Sequence, residues 1–265
     1  MKTSMVIVVY NKWCGDSYTC QFLKNTKCPP DFVLVIDNST KPIDNESYCK
    51  ENNWMYHSMQ GNAGLTKAYN AAISILKDMA DIVVWADDDT HFPELYFELI
   101  KNHINQNQSA SVFLPIVKSN DSLISPCVFS TKEMIIADSV DKLKDKEISA
   151  INSGMVVKMS LYNDYRYDEK YFLDYVDHDF MRWCRLNSKN FCIMEDINLQ
   201  QTFFAQGNAS NKAKRIRFNI YKKDYARFQR KCGVGWLKII EQLSKKFIYE
   251  QFVQKIRDNH ILSGE

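Results

Sequence analysis

Glycine and proline are scarce in this chain, at 8 and 6 of 265 residues. No linker rich in either is visible, so one large domain, or one with an appendage, is expected. No apolar run approaches the ~20 residues of a membrane span. No charged-then-apolar leader precedes the strand-like run of Met1–Tyr10, so a cytoplasmic protein is expected. The eight cysteines (Cys14, Cys20, Cys28, Cys49, Cys127, Cys184, Cys192, Cys232) contain no C-x-x-C pair and no partnered histidine spacing. They read as free thiols rather than a disulfide framework or zinc site. A nucleophile elbow, a Walker A loop, an H-E-x-x-H pair and internal repeats are also absent.

What is there is ordinary in bulk, 45% apolar and 25% charged, but uneven in charge. From Lys212 onward 14 Lys/Arg face 5 Asp/Glu, a net of +9; the preceding 211 residues carry 20 against 27, a net of −7. An acidic body with a basic tail suits a polyanionic partner or an anionic membrane surface.

The organising stretch is Ile82–Val83–Val84–Trp85–Ala86–Asp87–Asp88–Asp89–Thr90. A short β-branched run reads as a strand buried on both faces. The carboxylates then fall at its carboxyl end, where open α/β sheets place ligands. Adjacent carboxylates repel one another, and a hard divalent ion is one natural compensation. A solvated acidic turn capping the helix at Pro93–Glu94 is the other reading.

Two more buried strands, Met5–Tyr10 and Phe32–Ile36, likewise stop in polar residues, Asn11 and Asp37–Asn38–Ser39. Helices are predicted over Asp16–Asn25, Ile43–Asn52, Leu65–Leu76 and Glu94–Asn105, with a third short strand at Trp54–Ser58. This alternation argues for a parallel sheet with helices on its faces. Strand candidates follow at Val112–Val117, Cys127–Ser130, Met134–Ala137, Ile148–Ser153, Gly154–Lys158 and Phe191–Ile193. The first turns of a helix are predicted at Met181–Leu186, and a basic helix at Trp236–Ile256.

In order, Val8–Val9–Tyr10–Asn11, Val35–Ile36–Asp37–Asn38–Ser39, Gly61–Asn62–Ala63–Gly64 with Ala68–Tyr69–Asn70–Ala71–Ala72, Trp85–Ala86–Asp87–Asp88–Asp89–Thr90, Asn152–Ser153–Gly154 and Phe172–Leu173–Asp174–Tyr175–Val176–Asp177–His178–Asp179 with Arg182 resemble the inverting GT-A glycosyltransferases of family 2, especially bacterial rhamnosyl- and galactofuranosyltransferase-like members. The likeness covers about residues 3–205. It implies an α/β, GT-A fold: a Rossmann-like, mostly parallel sheet with helices on both faces over 1–205, then a basic, mainly helical extension over 206–265. It also implies a metal-dependent inverting transfer from a UDP- or dTDP-sugar to a glycan or lipid-linked glycan, in assembly of a bacterial surface polysaccharide.

Carried over by residue, Tyr10 and Asp37 lie at the nucleotide base, Asn62 and Gly64 shape the turn near base and ribose, and Asn70 stands on the helix behind. Asp87 lies near the ribose with Asp88 beside it, and Asp89 binds Mn²⁺ or Mg²⁺. Asp177 is the general base; Ser153 and Gly154, with Asp179 and Trp183, lie toward the acceptor. The sequence departs from the family where a metal-binding histidine is common: Asn198–Phe203 has none, and Gln201 is its candidate replacement. The glycine turn is also sparse, with Leu65–Thr66–Lys67 following Gly64.

Plainer readings stand beside these. Asp37–Ser39 is also an ordinary turn, and Asp174, Asp177 and Asp179 also suit a helix N-terminus. Trp85 and Trp183 fit a core; His91 and His178 fit loop or oriented side chains. Tyr162, Tyr165, Tyr167 and Tyr171 form either an acceptor wall or packing. The basic tail is a solvated face or a peripheral anchor on the inner membrane face; nucleic acid is not expected, since no recognisable module accompanies the charge. A catalytically silent glycan-binding or transferase-partner protein and a nucleotidyltransferase remain the alternative functions.

Overall fold

Three β-branched runs and a short fourth strand pair in parallel in the computed structural model, which describes residues 1–119, 122–129, 134–135, 148–201 and 210–246. They are β1 (Thr3–Val9), β2 (Phe32–Asp37), β3 (Met55–Ser58) and β4 (Ile82–Asp87). Between them lie α1 (Tyr18–Asn25), α2 (Asn45–Glu51) and α3 (Leu65–Leu76). β5 (Thr90–His91), α4 (Tyr96–Gln106), β6 (Val112–Ser119) and β7 (Ser122–Ser125) follow. The chain continues through β8 (Cys127–Phe129), β9 (Met134–Ile135), β10 (Ile148–Ser149), β11 (Met155–Lys158), α5 (Val176–Leu186), β12 (Phe191–Gln201) and α6 (Asn211–Lys231). A last helix, α7, covers 236–246.

The main sheet has the order β3-β2-β1-β4-β11-β6-β12-β5, with β7 beside β6. β11 runs antiparallel to both β4 and β6, whereas β12 is parallel to β6. A small antiparallel sheet holds β10, β8 and β9. The mixed, mostly parallel sheet covered by helices is the GT-A architecture expected from the sequence.

Alternation along the strands feeds two cores, because successive side chains leave a strand on opposite faces. Val6, Leu34, Ile36, Val83 and Trp85 pack with α3, α5 and Phe228 of α6 on one face. Met5, Ile7, Val35 and Val84 pack with α1, α2 and α4 on the other. The Tyr162–Tyr171 stretch resolves as packing: Tyr162, Tyr165, Tyr167 and Tyr171 are all buried, and Trp85 donates its indole N–H to Tyr162 at 2.7 Å.

Several boundaries differ from the sequence expectation. β1 stops at Val9, so Tyr10 lies beyond the strand and is exposed. α5 begins at Val176, placing Asp177 and Asp179 in its first turn. β12 extends eight residues past Ile193, resuming its pairing with β6 after a bulge between Met194 and Asn198. α6 falls inside the basic, mainly helical extension expected over 206–265, where the sequence reading delimits only Trp236–Ile256 as a helix. The 205/206 domain boundary, part of the Met134–Ala137 strand and the end of the Trp236–Ile256 helix lie outside the described residues. No helix among the described residues is long and apolar enough to cross a membrane.

Candidate functional site

Register sets the site. Val8 of β1 is opposite Asp87 and Val9 is opposite Asp37, which in turn is opposite Ser58 of β3. The carboxyl ends of three neighbouring strands therefore present Asp37, Asp87 and the following acidic turn along one edge.

Asp37 is buried at 4% exposure and fully engaged. Its carboxylate accepts from Ser39 N at 2.8 Å, Asn45 Nδ2 at 3.0 Å and Tyr56 Oη at 3.2 Å. Asn45 also accepts from Cys14 N at 2.8 Å and donates to Lys12 O at 3.1 Å, tying the loop after β1 to the end of β2. Asn11, in the left-handed region at φ 52°, takes the N–H groups of Thr40 and Lys41. Exposed Tyr10 borders this floor.

The glycine turn is braced from two directions. Asn38 Oδ1 accepts from Ala63 N at 3.2 Å, and Asn62 Oδ1 accepts from Gly64 N at 3.2 Å. Gly64 has φ 89° and ψ 162°, a region few residues other than glycine enter. A Cβ there would stand 2.9 Å from Phe172 Cδ2 and 3.0 Å from Phe172 O. Leu65 N donates to that same carbonyl at 2.6 Å. This turn thus joins the β1–β4 half of the edge to the segment that leads to Asp177.

At the acidic turn, α1 takes the backbone carbonyls. Thr19 Oγ1 donates to Asp87 O at 2.5 Å and Ser17 Oγ to Asp88 O at 2.7 Å. Lys12 pairs with Asp88 at 3.3 Å. Ser153 donates its hydroxyl to Asp87 Oδ2, and Gln201 Nε2 lies 2.9 Å from that oxygen and 3.4 Å from Asp89 Oδ1. Desolvation raises the Asp87 carboxyl to about 6; the Ser153 and Gln201 hydrogen bonds oppose the shift, while Asp89 and Asp88 add to it. Asp88 is also raised, chiefly by burial, with Lys12 opposing.

Among the described residues no three His, Cys, Asp or Glu side chains converge closely enough to hold a metal by themselves. The donor set at β4 is instead two carboxylates and an amide. Gln201 spends its nitrogen between two carboxylates while its Oε1 is buried without a partner. A half-turn of the amide offers that oxygen to a cation, giving three oxygen donors of the kind Mn²⁺ and Mg²⁺ take. The residues fit such an ion.

Asp177 opens α5, where Tyr175 at the cap has φ 63° and supplies no side-chain cap. Asp177 Oδ1 accepts the His178 N–H at 2.8 Å, and His178 is oriented by Ser149 Oγ at 2.7 Å. The buried Tyr69 phenol lies where both ends meet. Its pKa is raised well above normal by burial and then by Asp87, with Asp177 contributing and the Asn152 amide opposing.

The structure therefore brings together Asp37, Asn62, Gly64, Asp87, Asp88, Asp89, Ser153 and Gly154, with Tyr10 at the border and Asp177 across Tyr69. Gly154, at φ 71°, donates its N–H to Trp85 O at 2.7 Å, and a Cβ there would collide with Leu199. Asn70 is spent elsewhere, clasping Tyr167 N and O at 3.0 Å each. Asp179 is buried and paired with Lys231 at 2.7 Å. Trp183 packs on Tyr165 at 4.8 Å beneath Lys189.

Sequence reading gave no role to Lys12, Asn45 and Tyr56, whose partners lie across the fold, and quoted Asn152 only within the Asn152–Ser153–Gly154 motif. It also missed Asp224, the group on which the Asp177 segment hangs. Asp224, 1% exposed on α6, accepts from Phe172 N at 3.1 Å, Leu173 N at 2.8 Å and Asp174 N at 2.9 Å. Arg217 grips Asp174 through both carboxylate oxygens at 2.5 and 2.6 Å. One signal was visible: Phe218, Tyr221, Tyr225 and Phe228 recur at helical spacing.

No protein-family model and no curated protein sequence matches the chain. Its fold matches solved structures. Residues 1–349 of S. aureus TarS in complex with UDP align with a TM-score of 0.59 at 17% identity, over 85% of this chain and 64% of that one. The same TarS segment in complex with UDP-GlcNAc gives 0.59 at 16% identity, over 84% and 65%. GalNAc-T7 with UDP, GalNAc and Mn²⁺ gives 0.59 at 13% identity, over 99% and 57%. The chain spans about 64% of the TarS segment it matches. At these identities the likeness is one of fold.

Proposed function

We propose that this chain is a glycosyltransferase that moves a sugar from a UDP- or dTDP-sugar to a hydroxyl of a glycan or lipid-linked glycan, with inversion. The observation that carries the reading is the acidic turn. Asp87 and Asp89 face one Gln201 amide at the carboxyl edge of β4, in register with the Asp37 floor. That UDP or UDP-sugars occupy structures of the same fold supports it.

In this reading Asp37, fixed by three donors, accepts from the nucleotide base, and exposed Tyr10 covers it. The Asn62–Gly64 turn shapes the ribose side, where only a glycine backbone avoids Phe172. Asp87, Asp89 and Gln201 would hold Mn²⁺ or Mg²⁺, which when bound supplies Lewis-acid stabilisation of the leaving diphosphate. Lys12 adds a cation to the same side. Asp177 takes the acceptor hydroxyl proton as the new glycosidic bond forms. A single displacement needs no covalent nucleophile. Asn152, 5% exposed beside Ser153, is turned to the Tyr69 phenol, whose pKa its amide lowers. The pathway reading is surface polysaccharide assembly in a bacterial cytoplasm. A nucleotidyltransferase is less well served, since Asn11–Lys12–Trp13–Cys14–Gly15 after β1 is a poor match for a basic, glycine-rich triphosphate loop.

Hydrolysis and transfer across a panel of nucleotide sugars, with Mn²⁺, Mg²⁺ or EDTA, test this on wild type, Asp89→Ala and Asp177→Asn. One donor should turn over, with EDTA and Asp89→Ala abolishing it. Asp177→Asn should retain UDP or dTDP binding in calorimetry while losing transfer by ~10²-fold or more. A chain that binds neither nucleotide with Mn²⁺ is a silent partner, and the transferase reading fails.

A further inference from the structure

The C-terminal helices carry a surface that the acidic site does not use. α7 is fastened to α6 by Ile239, which is fully buried, and by Tyr225 Oη donating to Gln242 Oε1 at 2.7 Å. Trp236, Leu237 and Ile240 are nevertheless exposed, at 55, 85 and 46%. Trp236, Ile240 and Leu243 face Ala226 of α6 across a groove of about 580 Å³ bordered by Lys222 and Lys223. Neither lysine has an ion-pair partner among the described residues. Positions 212–246 hold twelve Lys/Arg and two acids, Asp224 and Glu241. Arg217, Arg227 and Lys231 pair with Asp174, Asp168 and Asp179 of the body, which leaves Lys222 and Lys223 for the groove. Asp224 is buried against Leu173 and Asp174, and Glu241 is taken by Lys238 and Lys245.

A solvated helix face gathers cations but has no reason to expose three large apolar side chains within five positions. An isologous second copy would bring two sets of Lys222 and Lys223 into one interface, and the groove lining supplies no carboxylate to pair them. Nucleic acid would satisfy the lysines and leave the apolar groove unmatched, since phosphate contacts dominate such interfaces. We propose that the α6–α7 surface docks on an anionic phospholipid bilayer. Trp236, Leu237 and Ile240 enter the headgroup–acyl boundary, and Lys222 and Lys223 lie over lipid phosphates. Because α6 also holds the segment before Asp177, docking fixes that end of the site relative to the bilayer. The inference stands whether or not the chain transfers a sugar.

Co-sedimentation of the full chain with vesicles tests it. Vesicles of phosphatidylcholine containing phosphatidylglycerol should pellet the protein, vesicles of phosphatidylcholine alone should not, and raised salt should weaken the binding. Trp236→Glu with Leu237→Glu, and separately Lys222→Glu with Lys223→Glu, should each lower the partition constant at least ~10-fold. These positions are exposed, so circular dichroism should be unchanged. The proposal is overturned by equal binding to both vesicle types, by no binding, or by charge-reversed protein that binds as wild type. A dimer in sedimentation velocity that Leu237→Glu dissociates would overturn it in favour of a second copy. Tighter retention by RNA than by anionic vesicles would overturn it in favour of nucleic acid.

Discussion

Asp37 is held by Ser39, Asn45 and Tyr56, which lie two, eight and nineteen residues away in sequence. Asp174 and Asp179 are held by Arg217 and Lys231, 43 and 52 residues away. The Asp37 floor is thus organised by successive strand–helix units, whereas Asp87 and Asp88 at the end of β4 are held by Ser153, Lys12 and Gln201, 66, 76 and 114 residues away. The α5 half is organised by one remote helix. α6 contributes Asp224 to three consecutive backbone N–H groups, Arg217 to Asp174 and Lys231 to both Asp179 and Asp168. Tyr175, Tyr221, Tyr225 and Phe228 stack to close the joint. Local order makes the Asp37 floor robust to remote change; the α5 segment depends on the helix after it.

Removing Asp224 should break this contrast most strongly. Asp224→Ala strands three N–H donors around a buried position, at a cost of about 3 kcal/mol or more. For a chain of this size that corresponds to a fall in midpoint of roughly 6–12 °C. Hydrogen exchange should quicken at Leu173 and Asp174 while the β1 and β4 amides stay protected. A change below ~0.5 kcal/mol would show that α6 is a passive neighbour.

Gly64→Ala attacks the joint between the halves. The residue sits at φ 89°, and a methyl meets both the ring and carbonyl of Phe172. Strain of this kind costs about 1–3 kcal/mol. Nucleotide affinity should fall with stability, because the turn and the Asp177 segment move together through Leu65 N and Phe172 O. If UDP binding is weakened with no loss of stability, the turn has yielded without Phe172, and the coupling is absent.

The same contrast decides what was legible in sequence. Runs such as Val33–Ile36 and Ile82–Ala86 announce buried parallel strands, and the polar residue ending each one marks the ligand edge, because strand ends in a parallel sheet share a side. Asp37 and Asp87 could be read that way; Ser153, which precedes the antiparallel β11, was carried by the family resemblance alone. The continuation of β12 to Gln201 was missed because a bulge resets its register after Met194, although Ile197–Gln201 alternates between buried and exposed as a half-buried strand does. α6 hid because basic residues outnumber its apolar ones, although its aromatic stripe has helical spacing. Asp179 and Asn70 show the opposite error. Their residue types and positions suit a ligand, and the fold spends them on Lys231 and Tyr167.

A pH titration gives the smallest effect and separates the halves without altering a contact. In EDTA, Asp87 has a folded-state pKa of about 6, raised from 3.8 by desolvation and its acidic neighbours. A carboxyl raised in the folded state is one the unfolded chain ionises first. Its contribution to stability is therefore full below pH ~4 and is lost as pH rises through about 6. The loss is at most about 3 kcal/mol, and the Ser153 and Gln201 hydrogen bonds keep it from being larger. Asp87→Asn, which keeps the acceptor oxygen and removes the charge, should flatten the stability profile between pH 4 and 7, measured by urea unfolding in EDTA. Asp174→Asn, in the half where Arg217 neutralises the carboxylate, should leave that slope in place. If the slope persists in Asp87→Asn, the burial of Asp87 is not its source, and the raised Asp88 beside it takes that place.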